Sequence, residues 1–213
     1  MDNSSPRERI LATAGELFYR DGIASVAVGR IIEEADVGHM SLWRIFGSKQ
    51  GLVDAWLRQT DETMRAEACA AFQAALPPRD RIAALFDVYT RWSTGPWSLG
   101  CPLVKAAAEP GGAGPEVRTV AAQHKWTIRD HLHSTCLEAG AADPHTLAAQ
   151  LLYLIDGLGV SAGLGLPDNP PHAARAAALT LFDAATRGRA GRPSSSRPAG
   201  RKDGNSQGRV IKG

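Results

Sequence analysis

Long apolar runs are missing from these 213 residues, and no stretch approaches twenty uninterrupted apolar positions, so no membrane partner is expected. The opening MDNSSPRER is polar, which gives no sign of a secretory leader. Cysteine is scarce. Cys69, Cys101 and Cys136 show no paired spacing, which leaves no disulfide framework and fits a reducing cytoplasm. Alternating strand patterns and hairpin signals are absent. Ser, His and Asp all occur but no G-x-S-x-G elbow does, so nothing supports catalysis and no catalytic residue is assigned. A surplus of charge is lacking too, with 24 Lys and Arg against 22 Asp and Glu for a net charge of +2.

That balance is uneven along the chain. Residues 1–55 carry six Lys or Arg against eight Asp or Glu, residues 56–186 ten against thirteen, and residues 187–213 eight against one. Bulk charge therefore argues for no nucleic-acid partner, and such a partner must rest on local placement of Arg7, Arg9, Arg30, Arg44 and Lys49. The stretch 188–213 is rich in Gly, Pro, Ser and Arg with almost nothing to bury, and is expected to be a disordered basic tail. Sequence-independent attraction to DNA and an inert solvated extension are both open to it.

What the chain does have is helical periodicity. Ile10, Leu11, Ala14, Leu17 and Phe18 make one stripe, and Asp21-Gly22 ends it. Val28, Ile31, Ile32 and Ala35 make a second, and Leu42, Ile45 and Phe46 a third after a break at Asp36-Val37-Gly38. A long helix from Ser48 carries Leu52, Val53, Trp56, Leu57 and Met64 on one face as far as Pro77-Pro78. Ile82 to Trp92, a short piece near Cys101 to Glu109, about Gly114 to Ala139, Asp143-Pro144 to about Leu164, and Pro170-Pro171 to about Arg187 follow. The expected fold class is all-α, with about nine helices.

The unit from Val26 to Lys49 has the form of a helix-turn-helix. On its second helix, about His39 to Phe46, the side chains His39, Met40, Ser41, Trp43 and Arg44 lie off the apolar stripe. Ser41, the Trp43 indole N–H and Lys49 suit phosphates, Lys49 because it stands among the free N–H groups of the next helix. His39, Met40 and Arg44 suit the groove floor, Arg44 by pairing with a guanine edge and Met40 by meeting a thymine methyl. Gly38 lets the backbone come close. A plainer reading has Met40 and Trp43 packing on the preceding helix, and Arg44 pairing with Glu33 or Glu34.

In register, RERILATAGELFYRDG, then VGRIIEEA, then SLWRIFGSKQGL resembles the N-terminal domain of the TetR family of transcriptional regulators over about the first 55 residues. The resemblance implies a double-stranded DNA operator as partner and adds Ala27, Val28 and Arg30, at the opening of the preceding helix, to the DNA-facing set. Two departures point to weaker or unusual affinity. Ala27 stands where a Thr or Ser usually opens the second helix, and Asp36 sits in a turn that usually reads Ala-Gly-Val-Ser. GCPLVKAAAE and LLYLIDGLGVSAG resemble, more loosely, the ligand-binding and dimerisation domain of one subgroup. The resemblance implies a helix-turn-helix domain at 1–47 and a helical domain at 48–187. It also implies a homodimer through helices near 143–164 and 170–187, where Gly157, Gly159, Ser161, Ala162, Gly163 and Gly165 allow close approach.

A small-molecule effector is the second partner expected. Met64, Trp92, Trp97, Trp126 and Tyr153 are candidates for an apolar lining, with Cys101, His131 and Asp156 as polar points. No cofactor is expected. Gly157 to Ala162 matches G-x-G-x-x-A but lacks the second strand and its acidic residue. His124, His131, His133 and Cys136 share a helix without a convincing metal set, and no metal is assigned. The competing expectation is a helical binding protein or enzyme whose N-terminal unit no longer grips DNA.

Overall fold

The computed structural model describes residues 4–73, 76–95, 97–110, 114–164, 166 and 170–187. Among them run nine α-helices and no strand: α1 (Pro6–Asp21), α2 (Val28–Glu34), α3 (His39–Phe46), α4 (Lys49–Gln73), α5 (Pro78–Ser93), α6 (Pro102–Ala108), α7 (Pro115–Glu138), α8 (Pro144–Gly163) and α9 (Pro170–Thr186). The basic tail and Gly165 lie outside the described residues.

Proline sets most of the starting points. α1, α5, α6, α7, α8 and α9 all begin on it, since the N–H it lacks would have no partner in a first turn and its φ is already helical. α1 has a full capping box as well: Ser5 Oγ accepts from the Glu8 amide at 3.3 Å and the Glu8 carboxylate accepts from the Ser5 amide at 2.7 Å. Gly22, at φ 89°, ends the helix.

Helices α1, α2 and α3 and the first turns of α4 form a head around Leu11, Phe18, Ile31, Leu42, Leu52 and Trp56, all buried. Each such side chain contributes roughly 1.5–3 kcal/mol by leaving water. Trp56 meets Phe18 edge-on, with ring centroids 5.6 Å apart. It also lies so close to α1 that a Cβ on Gly15 would stand 2.8 Å from its indole nitrogen. A residue larger than glycine at 15 would force these helices apart.

The rest of α4 passes into a body of α5 to α9, whose core holds Phe86, Ile128, Leu151 and Phe182. Ion pairs Arg79–Asp183 at 2.7 Å and Arg175–Asp87 at 2.8 Å fasten α5 to α9 on the surface. By length and composition α8 is the one described helix apolar enough to cross a membrane, with a mean hydropathy of 1.2. It nevertheless carries His145, Gln150 and Asp156, and Leu147, Leu151, Ile155 and Leu158 are buried against α5, α7 and α9. One face of the helix is therefore packed into the core. Its Tyr153, Val160 and Leu164 remain exposed.

Gly163, one of the small residues expected to ease contact between subunits, also makes room for a contact inside one. A Cβ on Gly163 would lie 2.9 Å from the Ser98 carbonyl oxygen, and one on Gly159 would lie 3.8 Å from Gly100 Cα. The loop before α6 therefore rests on α8. The G-x-G-x-x-A match at 157–162 is helical throughout and forms no strand-to-helix turn.

Candidate nucleic-acid interface and ligand cavity

The presentation of α3 is decided by what holds its two ends. At its start Gly38 is the N-cap without a side-chain oxygen, and the preceding Asp36 takes a left-handed conformation, φ 48°. Arg9 of α1 reaches across to that turn: Nε donates to the Ala35 carbonyl and Nη2 to the Asp36 carbonyl, each at 3.2 Å, while Nη1 donates to Ser4 at 3.0 Å. At its end Gly47 has φ 73°, and Ser48 Oγ caps α4 by accepting from the Gly51 amide at 2.9 Å. A Cβ on Gly51 would fall 2.1 Å from the Phe46 carbonyl oxygen, so α4 begins hard against the end of α3. Both ends are fixed, and the helix between them cannot roll freely.

Leu42 points inward and is fully buried. Met40 is 72% exposed and Trp43 38%, and His39 and Arg44 are exposed, so neither Met40 nor Trp43 is packed away on α2. Arg44 makes no ion pair among the described residues, with Glu33 or with Glu34, and Glu34 is taken by Arg30 at 2.6 Å. Ser41 and Lys49 are half-buried.

The other head cations are differently engaged. Arg30 binds Asp21 at 2.7 Å as well as Glu34, and with Arg20 it holds the Asp21 carboxyl down to about 2. Arg30, placed in the DNA-facing set by sequence, is exposed and also braces α1 against α2. Arg9 is the staple just described, and Arg7 lies over the Phe46 ring at 5.9 Å. Ala27 is the N-cap of α2 and supplies no side-chain hydrogen bond, as its missing hydroxyl implies. Val28 behind it is half-buried against the core.

In the body a cavity of about 150 Å³ opens between α4, α5, the loop before α6, α7 and α8. Met64, Tyr89, Trp92, Trp97, Cys101, Lys125 and Asp156 are among its walls. Trp92 stands edge-on to Tyr89 at 4.9 Å and to Trp97 at 5.0 Å, and its indole N–H donates to Glu67 at 2.9 Å. Lys125 and Asp156, the charged lining residues, pair with each other.

Five of the sequence candidates meet here and three do not. Tyr153 is 70% exposed, because it precedes the lining residue Ile155 by two positions and so lies about 200° away around α8. Trp126 is 54% exposed and covered by the Arg129 guanidinium, 3.9 Å above its ring. His131 stacks on Phe72 at 4.9 Å, with Nε2 3.3 Å from Cys69 Sγ, away from the cavity. Tyr89 and Lys125 were not anticipated. Tyr89 precedes Trp92 by three residues on one helix face, a spacing that offered the clue; the pairing of Lys125 with Asp156 left none.

The four residues weighed as metal ligands face different neighbours. His124 is buried with Nδ1 3.0 Å from Asp61 Oδ1, His131 meets Cys69, and His133 faces His145 with ring centroids 6.1 Å apart. Burial pushes the Cys136 thiol up to about 12. No three possible ligands gather among the described residues.

Head and cavity are joined through α6. Tyr19 of α1 donates its hydroxyl to the Gly100 carbonyl at 2.8 Å and accepts from the Leu99 amide at 2.7 Å, while Lys105 donates to the Tyr19 carbonyl. At the other end of α6 the Glu109 carboxylate accepts from the Ile23 and Ala24 amides at 2.8 and 2.7 Å. Gly100, Cys101 and Val104 line the cavity.

Two family descriptions match the sequence: "Bacterial regulatory proteins, tetR family" over residues 10–56 and "Tetracyclin repressor-like, C-terminal domain" over residues 78–178. A TetR-family transcriptional regulator from Streptomyces coelicolor is 27% identical, with a TM-score of 0.78 over 85% of this chain and 96% of its own. A tetR-type transcriptional regulator from Streptomyces avermitilis is 30% identical, with a TM-score of 0.71 over 85% of this chain and 98% of its own. The reduced form of NemR from E. coli shares the fold at 22% identity, with a TM-score of 0.69 over 81% and 94%. No curated protein sequence matches.

Proposed function

The chain belongs to the TetR family of bacterial regulatory proteins and is a DNA-binding transcriptional regulator, and from that premise we propose that it is a cytoplasmic homodimeric repressor that leaves a palindromic operator when a small molecule fills the cavity. The DNA-binding unit is assigned to residues 1–47 and the effector and dimerisation unit to 48–187. The observation that carries this reading is α3. Its two ends are pinned, and between them Met40, Trp43 and Arg44 project from a buried Leu42. Arg44 is assigned to a guanine edge, with Met40 and His39 beside it on the groove floor. Ser41, Trp43 and Lys49 are assigned to phosphates.

Pairing of subunits is assigned to α8 and α9, where Tyr153, Val160, Leu164 and Leu181 are exposed apolar groups. Two-fold symmetry then sets the two α3 helices on half-sites about one helical turn of DNA apart. Release follows from differential binding: an effector that prefers one spacing of the two α3 helices lowers DNA affinity by that preference. The path is assigned to the long helix α4, which runs from Lys49 to the cavity residue Met64, with α6 beside it holding Tyr19 and the 22–24 turn by its two ends.

Selection of bound duplexes from a random pool tests the reading, and an inverted repeat is the expected product. Enrichment of nothing would favour the reading in which the head no longer grips DNA. On the selected site Arg44→Ala is expected to cost about 1–3 kcal/mol, and Lys49→Ala to lower the salt slope by about one. Unchanged affinity and slope in both variants would remove the contact assignment.

A further inference from the structure

The cavity wall carries a hydroxyl that the fold leaves unused. Tyr89 is buried on α5 and lines the cavity, and its Oη has no hydrogen-bond partner among the described residues. A buried hydroxyl without a partner has given up water for nothing, so a bound acceptor within its reach gains a hydrogen bond at little further desolvation. Burial also holds this phenol well above its ordinary pKa, which keeps it a neutral donor.

Three other features narrow the occupant. Trp92 and Trp97, edge-on to each other at 5.0 Å, together with Met64 offer aromatic and polarizable surface. Lys125 and Asp156 neutralise each other, so the lining presents no uncompensated charge to an ion. The volume of about 150 Å³ is that of a cavity able to take one small aromatic ring, and here the cavity opens outward.

Resting on the effector reading above, we propose that the cavity takes a neutral aromatic molecule of one or two rings bearing a hydrogen-bond acceptor. The acceptor receives the hydrogen bond of the Tyr89 hydroxyl, and the rings lie among Trp92, Trp97 and Met64. An anion of the same shape is excluded, because it would have to draw Lys125 away from Asp156.

Isothermal titration of the full-length protein with quinoline, naphthalene and 2-naphthoate tests this, since the first two differ only in a ring nitrogen. Quinoline is expected to bind about fivefold to tenfold more tightly than naphthalene, and 2-naphthoate at least about tenfold more weakly than quinoline. Tyr89→Phe is expected to bring quinoline down to naphthalene while naphthalene keeps its affinity, which also shows the variant folded. Equal binding of quinoline and naphthalene to the unmodified protein, a preference surviving in Tyr89→Phe, tightest binding of 2-naphthoate, or no binding of any probe overturns the proposal. Operator release is measured separately. Binding without release would sink the effector reading and leave the ligand class standing.

Discussion

On α3, Met40, Trp43 and Arg44 stand in solvent while Leu42 between them is sealed in the core; around the cavity, Met64, Tyr89 and Trp92 are sealed almost as completely as Leu42 itself. A surface meant for another macromolecule is made of side chains the fold does not need, so it can be found by subtracting the buried stripe. A cavity for a small molecule is made of the same residue types as the core, and subtraction removes it along with the core. The free side chains of the head can thus be read from sequence, and the lining of the cavity cannot.

The sharpest way to break this contrast is to exchange an inward residue for an outward neighbour on the same helix. Leu42→Ala is expected to cost about 2–5 kcal/mol of stability, read as a fall in Tm, while Met40→Ala stays within about 0.5 kcal/mol and changes only DNA binding. Equal losses would mean that α3 does not divide into a structural and a free face. The next largest effect is expected where head and body meet. Glu109→Ala leaves the Ile23 and Ala24 amides without their carboxylate, at a cost of about 1–3 kcal/mol. Operator affinity should then respond less to cavity ligands, and a titration of operator against ligand checks the uncoupling.

Smaller effects concern protons. Burial above all, helped by Lys125 and Arg65 and opposed by Asp61, holds the His124 imidazole below its ordinary value of 6.5. The unfolded chain therefore takes a proton from about pH 6.5 downward that the folded one resists, and stability falls as the pH drops below that value. His124→Gln is expected to flatten the slope of Tm against pH in that range. In the head the sign is the same, in a more acidic window. Asp21, held down to about 2 by Arg20 first and then Arg30, adds stability above its unfolded value of 3.8 and loses it as pH falls toward 2. Because this carboxylate is exposed, Asp21→Asn should move the acid-unfolding midpoint only slightly, and added salt should shrink even that.

Much of the fold was legible because helix boundaries are local events. Ser5 with Glu8, Gly22, Gly38, Gly47 and the run of N-terminal prolines mark starts and stops without reference to distant residues. The exposed face of α3 was legible for the same reason. Arg9 was not: its three carbonyl partners include Ala35 and Asp36, 26 and 27 residues away, and nothing near Arg9 signals them. The pairing of Arg30 with Asp21, nine positions away, was likewise invisible until the fold brought the two together. In the cavity, aromatic character alone could not separate Tyr89 from Tyr153 or Trp92 from Trp126, since what separates them is helical phase against a neighbour. α8 shows the same limit, its Gly163 set against Ser98 and Leu99, a neighbour that small size alone does not name.

Lys49 and Met64 belong to one unbroken rod, fifteen positions and so about 22 Å apart. Pivoting that rod by about 5° at the Met64 end sweeps Lys49 through about 2 Å, which is several times the tolerance of a charge-assisted hydrogen bond. On the proposed reading, a molecule that leaned on Met64 would shift Lys49 by more than a contact with phosphate tolerates.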